Sequence, residues 1–399
     1  VGTVRKQYLP ADHRMLEVVE LSPFEREELL NFAVALAKLE SEKGRKRIGA
    51  ADIMSRYNGY PAGLVAGFDE MRAIYEGLAL EMRSFLQAAR TLWEMGVQVF
   101  TLERVWEANN LLIGSEMAFS QRSQILDVLM KHGFVSMRRQ EQQWIEIYEG
   151  YLDEVFDLPH EYETIERKIM VLWERRGDAA AFIERGNFLT EIYSPGYQNN
   201  PRGVIQLGIA AYEKALEIYT PEHAPLDYAR TQNNLGTAYL RLAGYEDPLE
   251  NLRCAVVAFE KALKFRIPEH APLDYARTQN NLGNVYLRLA GYEDPLENLR
   301  RAVVAFEKAL KFRTPECALL DYARTQNNLG TAYSDLAGYE NPLKNLRRAV
   351  EACEKALKIH TPECAPLDYA GTQNNLGNAY LRLAGYEDPL ENLRRVVVA

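Results

Sequence analysis

No apolar run in this chain approaches the roughly 18–20 residues needed to cross a bilayer. The opening stretch VGTVRKQYLP lacks the apolar centre of a signal peptide. Cysteine is scarce: Cys254, Cys317, Cys353 and Cys364 are the whole set, and none forms a CxxC. A disulfide or zinc framework would need fixed pairs. No metal site is expected, and reduced thiols in a cytoplasmic setting are. No GxxxxGK[ST] occurs, so no loop of backbone N–H groups is available to cradle a phosphate. No Ser/His/Asp or Cys/His set has a context for nucleophilic catalysis. No catalytic residue is assigned, and no enzyme activity or cofactor is expected within this segment. An excess of basic charge is missing too. Lys and Arg number 47 against 56 Asp and Glu, a net charge of −9, so nucleic acid is not expected as the main partner.

What is present is repetition. Residues 220–266 recur as 267–313 with four changes and as 314–360 with more, and a further copy runs from 361 to Ala399. Asn233, Asn280, Asn327 and Asn374 step by 47 each time. A fixed period of this length marks a solenoid array. The cysteines all lie in the copies: Cys317 and Cys364 stand where other copies have His223 and His270, Cys254 replaces an Arg and Cys353 a Phe. They read as drift between copies. The first residue is Val, and the last copy breaks off at Ala399, so both ends look cut from a longer protein.

Within a unit, Leu226–Ala243 reads as helix A, with Tyr228, Leu235, Tyr239 and Leu242 at helical spacing. Asp247-Pro248-Leu249-Glu250 announces helix B with an N-cap, a first-turn Pro and a capping-box Glu. The third copy has Asn341-Pro342-Leu343-Lys344 instead, which predicts a weaker start there.

These residues resemble the tetratricopeptide repeat: Leu235-Gly236-x-x-Tyr239 on helix A, Ala255-x-x-x-Phe259-x-x-Ala262 on helix B, and Pro268 at the close. The usual period is about 34 residues, so this unit is a lengthened one. An earlier, degenerate unit at 179–219 has Tyr212 in the Phe259 position and serves as a cap. In this family helix A lines the concave face. The resemblance therefore implies a peptide-binding face made of Arg230, Asn233, Thr237 and Arg241, then Arg277, Asn280, Asn284 and Arg288. It continues through Arg324, Asn327 and Thr331 to Asn374, Asn378 and Arg382. Asn side chains can hold a peptide backbone through both donor and acceptor, and Arg reaches carboxylates. An extended, somewhat acidic protein or peptide ligand suits such a ladder. The alternative is that one Asn of each adjacent pair makes helix–helix bonds, Asn234 and its equivalents more readily than Asn233.

The first half reads differently. Residues 15–21 suit a buried strand, Ser22-Pro23-Phe24-Glu25 opens a helix, and Lys43–Arg47 forms a basic turn. With NGYPAGLVAGF after it, this order resembles the end of the nucleotide-binding domain and the helical lid of a STAND-class signalling NTPase. Gly59 and Pro61 are then nucleotide-proximal, and ATP would belong to the full-length protein. Residues 81–156 carry three helical stretches, then FVSMRR and WIEIYEG. That order resembles the winged-helix domain following such a lid. Arg122, Lys131 and His132 on its third helix, with Arg138 and Arg139, are too thinly charged, beside Glu141 and Glu146, to favour DNA binding. The family's phosphate-sensing His is missing near Tyr148 and Glu149.

The expected architecture is thus mainly α. It comprises a lid-like segment at 1–80, a winged helix with a small β-ribbon at 81–156, a connecting helix at 157–178, a capping repeat at 179–219 and a right-handed α-solenoid at 220–399. The expected function is partner sensing for a STAND-type signal-transduction ATPase, with oligomerisation on activation. The alternatives are a passive repeat scaffold and a winged-helix DNA-binding regulator.

Overall fold

The computed structural model describes residues 72–95, 97, 100–132, 134–139, 143–147, 156–160, 162–190 and 200–398. The expected strand at 15–21, the basic turn at 43–47, and Gly59 and Pro61 lie outside the described residues. The chain divides into two compact units, Val1–Arg176 and Gly177–Ala399.

In the first unit, α1 (Leu80–Glu94), α2 (Leu102–Ile113) and α3 (Phe119–Lys131) precede two short strands, β2 (Ser136–Arg139) and β3 (Gln143–Glu146). Thr101 caps α2, its hydroxyl accepting the Arg104 N–H at 3.3 Å. Phe100–Thr101 also form strand β1, which pairs antiparallel with β3, giving a sheet of order β1-β3-β2. This third strand was not foreseen, because two residues are too short for a period-2 pattern. Phe85 and Trp106 anchor the core, with ring centroids 4.5 Å apart. The helix expected to connect the halves is α4 (Tyr162–Arg176). Its buried stripe of Ile165, Ile169 and Trp173 belongs to a helix that packs on α1 and α2 of this unit.

The second unit is a run of helix pairs. The first pair is α5 (Ala179–Thr190) and α6 (Pro201–Ile218). The copies follow as α7 (Pro225–Leu242) with α8 (Pro248–Leu263), α9 (Pro272–Leu289) with α10 (Pro295–Leu310), α11 (Leu319–Leu336) with α12 (Pro342–Leu357), and α13 (Pro366–Leu383) with α14 (Pro389–Val398). Each helix packs on the next, and successive A helices also touch: α7 with α9, α9 with α11, α11 with α13. Apolar residues of all four copies merge into one continuous core, from Leu252 and Phe259 through Phe306 and Leu346 to Tyr380. No helix among the described residues is long and apolar enough to cross a membrane.

The degenerate helix α5 fits its partner after a shift. A Cβ on Gly186 would meet the Tyr212 ring at 2.5 Å, as one on Gly236 would meet Phe259 at 2.9 Å. Arg241 donates to the Thr190 carbonyl, as Arg288 does to that of Leu240. Gly186 and Thr190 stand 50 residues before Gly236 and Leu240, against a period of 47. Three extra residues between α5 and α6 therefore hide the match from a fixed-period reading.

The expected capping box of helix B does not form. Asp247, Asp294, Asn341 and Asp388 sit in the left-handed region, with φ of 38°, 39°, 43° and 41°. Those of α8, α10 and α12 make no side-chain cap bond. Asp and Asn are the non-glycine residues that tolerate this conformation best. The turn is tied instead by Asn251, Asn298, Asn345 and Asn392, whose amides donate to the carbonyls of Glu246, Glu293, Glu340 and Glu387 at 2.7–2.8 Å. The third copy has the same geometry at Asn341, so the loss of Glu at Lys344 removes no box, and the expected weaker start has lost its basis. Asp294→Ala is expected to cost about 1 kcal/mol through the left-handed backbone, and Asp294→Gly to be neutral or better. Chemical denaturation of the two variants checks this; equal costs would contradict it.

Candidate functional site

On each A helix one set of exposed and half-buried residues falls in a single stripe. In α7 these are Leu226, Arg230, Asn234, Thr237 and Arg241, spaced four, four, three and four apart. The stripe recurs as Leu273, Arg277, Asn281, Asn284 and Arg288 on α9, and as Leu320, Arg324, Asn328, Thr331 and Asp335 on α11. On α13 it is Leu367, Gly371, Asn375, Asn378 and Arg382. Since the A helices touch one another along the array, the stripes lie side by side as rows across one face.

The expected residues divide by row. Arg230, Arg277 and Arg324 are exposed, and each pairs with the Asp three residues before it: Asp227 at 2.8 Å, Asp274, and Asp321 at 3.7 Å. Such exposed pairs are worth only about 0–1 kcal/mol and are readily exchanged for another carboxylate. Arg288 and Arg382 extend back to the preceding A helix, donating to the carbonyls of Leu240 at 2.8 Å and Ser334 at 2.5 Å. Arg241 does the same to Thr190. These three hold orphan carbonyls at helix C-termini, so their first role is inside the array. Thr237 and Thr331 bond the carbonyls of Asn233 and Asn327 at 3.0 and 3.3 Å. Asn284 is half-buried and Asn378 exposed.

The Asn233 row is not on the face. Asn233 and Asn280 are 5% exposed, Asn327 is half-buried and Asn374 exposed. The Asn233 side-chain oxygen Oδ1 accepts from the Thr278 hydroxyl of the next copy at 3.1 Å. Asn328 donates to Asn280 at 3.4 Å, and Asn375 to Asn327 at 3.0 Å. The amides of Asn233, Asn280 and Asn327 are covered by the following A helix, and Asn374, on the last A helix among the described residues, is exposed. The structural role falls chiefly on the Asn233 row, while Asn234 and its equivalents reach both the face and the neighbouring copy.

Sequence reasoning missed the leucine row. Leu226, Leu273, Leu320 and Leu367 are 65%, 48%, 44% and 88% exposed. The signal was their position one turn before Arg230, Arg277, Arg324 and Gly371, off the apolar stripe of Leu235 and Leu242.

Deeper bonds fix how the rows align. The hydroxyls of Tyr239, Tyr286, Tyr333 and Tyr380 donate to Glu213, Glu260, Glu307 and Glu354 of the preceding helix B. Burial first, then the nearby carboxylate, pushes the Tyr286 phenol up to about 12. Arg301, Arg348 and Arg395 stack over Tyr286, Tyr333 and Tyr380 at 5.4–5.8 Å. Cys254 occupies the equivalent place beside Tyr239, so the first copy lacks that cation. Along the B side, Arg253, Arg300 and Arg347 make ion pairs with Glu293, Glu340 and Glu387 of the next copy. No cluster of three or more metal-ligating side chains occurs among the described residues.

Residues 323–363 match the tetratricopeptide repeat family. No curated protein matches the chain. Two solved structures resemble it in part. BtubC from P. vanneervenii is 20% identical over 61% of this chain and 91% of its own, with a TM-score of 0.39. A STAND protein with a tetratricopeptide repeat sensor from Pyrococcus horikoshii is 15% identical over 94% of this chain, with a TM-score of 0.27. This chain covers 54% of that protein's length. The paired helices and the small residues where they cross agree with that match: Gly177–Ala399 form an α-solenoid of helix pairs built on a 47-residue unit, and residues 323–363 of it carry the tetratricopeptide repeat match.

Proposed function

We propose that this array binds an extended segment of a partner protein across the face of its A helices, and that it is the sensor region of a STAND-type signal-transduction ATPase. The observation that carries the binding reading is the repeated pairing of an exposed Leu with an exposed Arg one turn later on α7, α9 and α11. A segment carrying both apolar side chains and carboxylates would meet the two rows together. Each carboxylate would take over an arginine now paired with a half-buried Asp on its own helix, Arg324 lying also 3.9 Å from Asp368 of the next A helix.

The ATPase reading rests on the sequence of the first half. The resemblance of NGYPAGLVAGF to a STAND lid would put Gly59 and Pro61 near a nucleotide, and the order of three helices followed by paired strands suits a winged helix that reports nucleotide state. ATP would be held by residues of the full-length protein. Partner binding would be the signal that permits nucleotide exchange and oligomerisation.

A random-peptide display library selected against the chain tests the face directly. The selected peptides are expected to combine acidic and apolar residues. Triple substitution of Arg230, Arg277 and Arg324 by Ala is expected to weaken their binding about tenfold or more in fluorescence anisotropy. Selected peptides that bind the triple variant equally well would remove the proposal.

A further inference from the structure

The junctions between copies carry a buried polar contact that differs at one place. At the end of α8, the Arg266 guanidinium donates to the Thr278 hydroxyl of the next copy at 3.0 Å. At the end of α10, Arg313 does the same to Thr325 at 2.9 Å and lies 3.7 Å from Asp321. Both arginines are 4% exposed. At the third junction the residue is His360, 1% exposed, with Nδ1 3.0 Å from the Thr372 hydroxyl.

The hydrogen bonds select the tautomer. The Thr372 hydroxyl donates its proton to the Asp368 carbonyl at 2.6 Å, so towards His360 it can only accept. Nδ1 therefore carries the hydrogen, as the guanidinium does at the other junctions. Nε2 is a bare, buried lone pair with no hydrogen-bond partner. The charged groups facing the ring are Asp368 on α13 and Arg324 on α11. They offset one another, and Arg324 itself lies 3.9 Å from the Asp368 carboxylate. A proton added to Nε2 would create a buried cation whose new N–H has no acceptor within reach, and such a group is costly.

The third copy also carries smaller side chains around this joint. Phe259 and Phe306 are replaced by Cys353, and the edge-on ring pairs Tyr228–Phe265 and Tyr275–Phe312 by Tyr322 with Ile359.

We infer that the junction between the third and fourth copies is a pH-sensitive joint: protonation of His360 in mildly acidic conditions opens α13 and α14 from the rest of the array. The first two junctions have arginine at this place and stay closed over the same range. The direction follows from linkage. Burial lowers the His360 pKa below the ordinary histidine value, with Asp368 opposing and Arg324 adding to the shift. The closed joint holds the neutral ring, whereas the open joint takes up a proton below pH ~6.5. Closure is therefore at full strength above that pH and weakens as pH falls below it. Opening would withdraw Asn375, Asn378 and Arg382 from the A-helix face. The joint itself does not depend on partner binding.

Hydrogen exchange of the full chain, read by mass spectrometry on α13 peptides and corrected for intrinsic exchange rates, tests it. Between pH 7.5 and 5.0, opening of α13 is expected to rise on the order of tenfold in the natural sequence, with α9 unchanged. His360→Arg and His360→Gln should each abolish that rise, the first by restoring the charged contact of the other junctions, the second by removing the titrating group. No acid-induced opening of α13, or the same rise in both variants, would overturn the inference.

Discussion

Replacing Phe306 with Ala is expected to destabilise the array by about 3–5 kcal/mol, the cost of removing a fully buried aromatic side chain and leaving a cavity. Phe306 has no exposed surface and sits where α10 crosses Gly283 of α9, in the middle of the shared core. In a solenoid each copy contacts only its neighbours, so the loss falls on the second copy and its two interfaces. The third copy supplies the internal comparison. Cys353 occupies the same position there, and burial pushes its thiol up to about 12, so it acts as a small apolar group. Cys353→Ala should cost no more than about 1 kcal/mol, because few atoms are removed. Denaturant unfolding followed by circular dichroism distinguishes the two. Equal losses would show that the third copy is packed as tightly as the second.

Gly283→Ala is the second large effect, and its sign is informative. By helix propensity alone, an Ala in mid-helix should stabilise by roughly 0.5–1 kcal/mol. In the fold, the added methyl would lie 2.7–2.9 Å from three atoms of the Phe306 ring, closer than real contacts allow. Overpacking of this kind costs about 1–3 kcal/mol. A net loss of about 1–2 kcal/mol is expected, and the double variant Gly283→Ala with Phe306→Leu should be markedly less than additive, because the substitutions share one contact. A stabilising Gly283→Ala would mean that the helices separate at no cost and that close crossing does not require glycine here.

Both effects were anticipated in part by the repeat itself. The period, the paired helices and the small residues at their crossings are local, periodic features, and a pattern repeated with a 47-residue step is read without any long-range information. The same regularity misled at the first pair. Three extra residues between α5 and α6 break the step, and the contacts of Gly186 with Tyr212 and of Thr190 with Arg241 restore the match.

Turn chemistry was legible as residue type but not as role. Asp and Asn before a Pro read equally well as a helix cap and as a left-handed turn residue, since both uses exploit a short polar side chain. The backbone angle at Asp247 and the bond from Asn251 to the Glu246 carbonyl decide for the second use.

Spacing along one helix was enough to read the architecture of the array, the length of its unit and the polar members of the stripe on each A helix, though not its leucines. Which members of that stripe meet solvent depends on how the copies stack. Asn233 and Asn234 are adjacent in the chain, yet the next A helix covers the first, while the second stays half-exposed at the seam. The arginines at the end of the stripe turn back to neighbouring carbonyls, and the leucines at its start remain open. His360 shows the same limit. In the sequence it is one more difference from Arg313, and the burial of its second nitrogen exists only once the fourth copy is stacked on the third. Exposure and hydrogen-bond satisfaction belong to pairs of copies, and a single copy's sequence does not contain them.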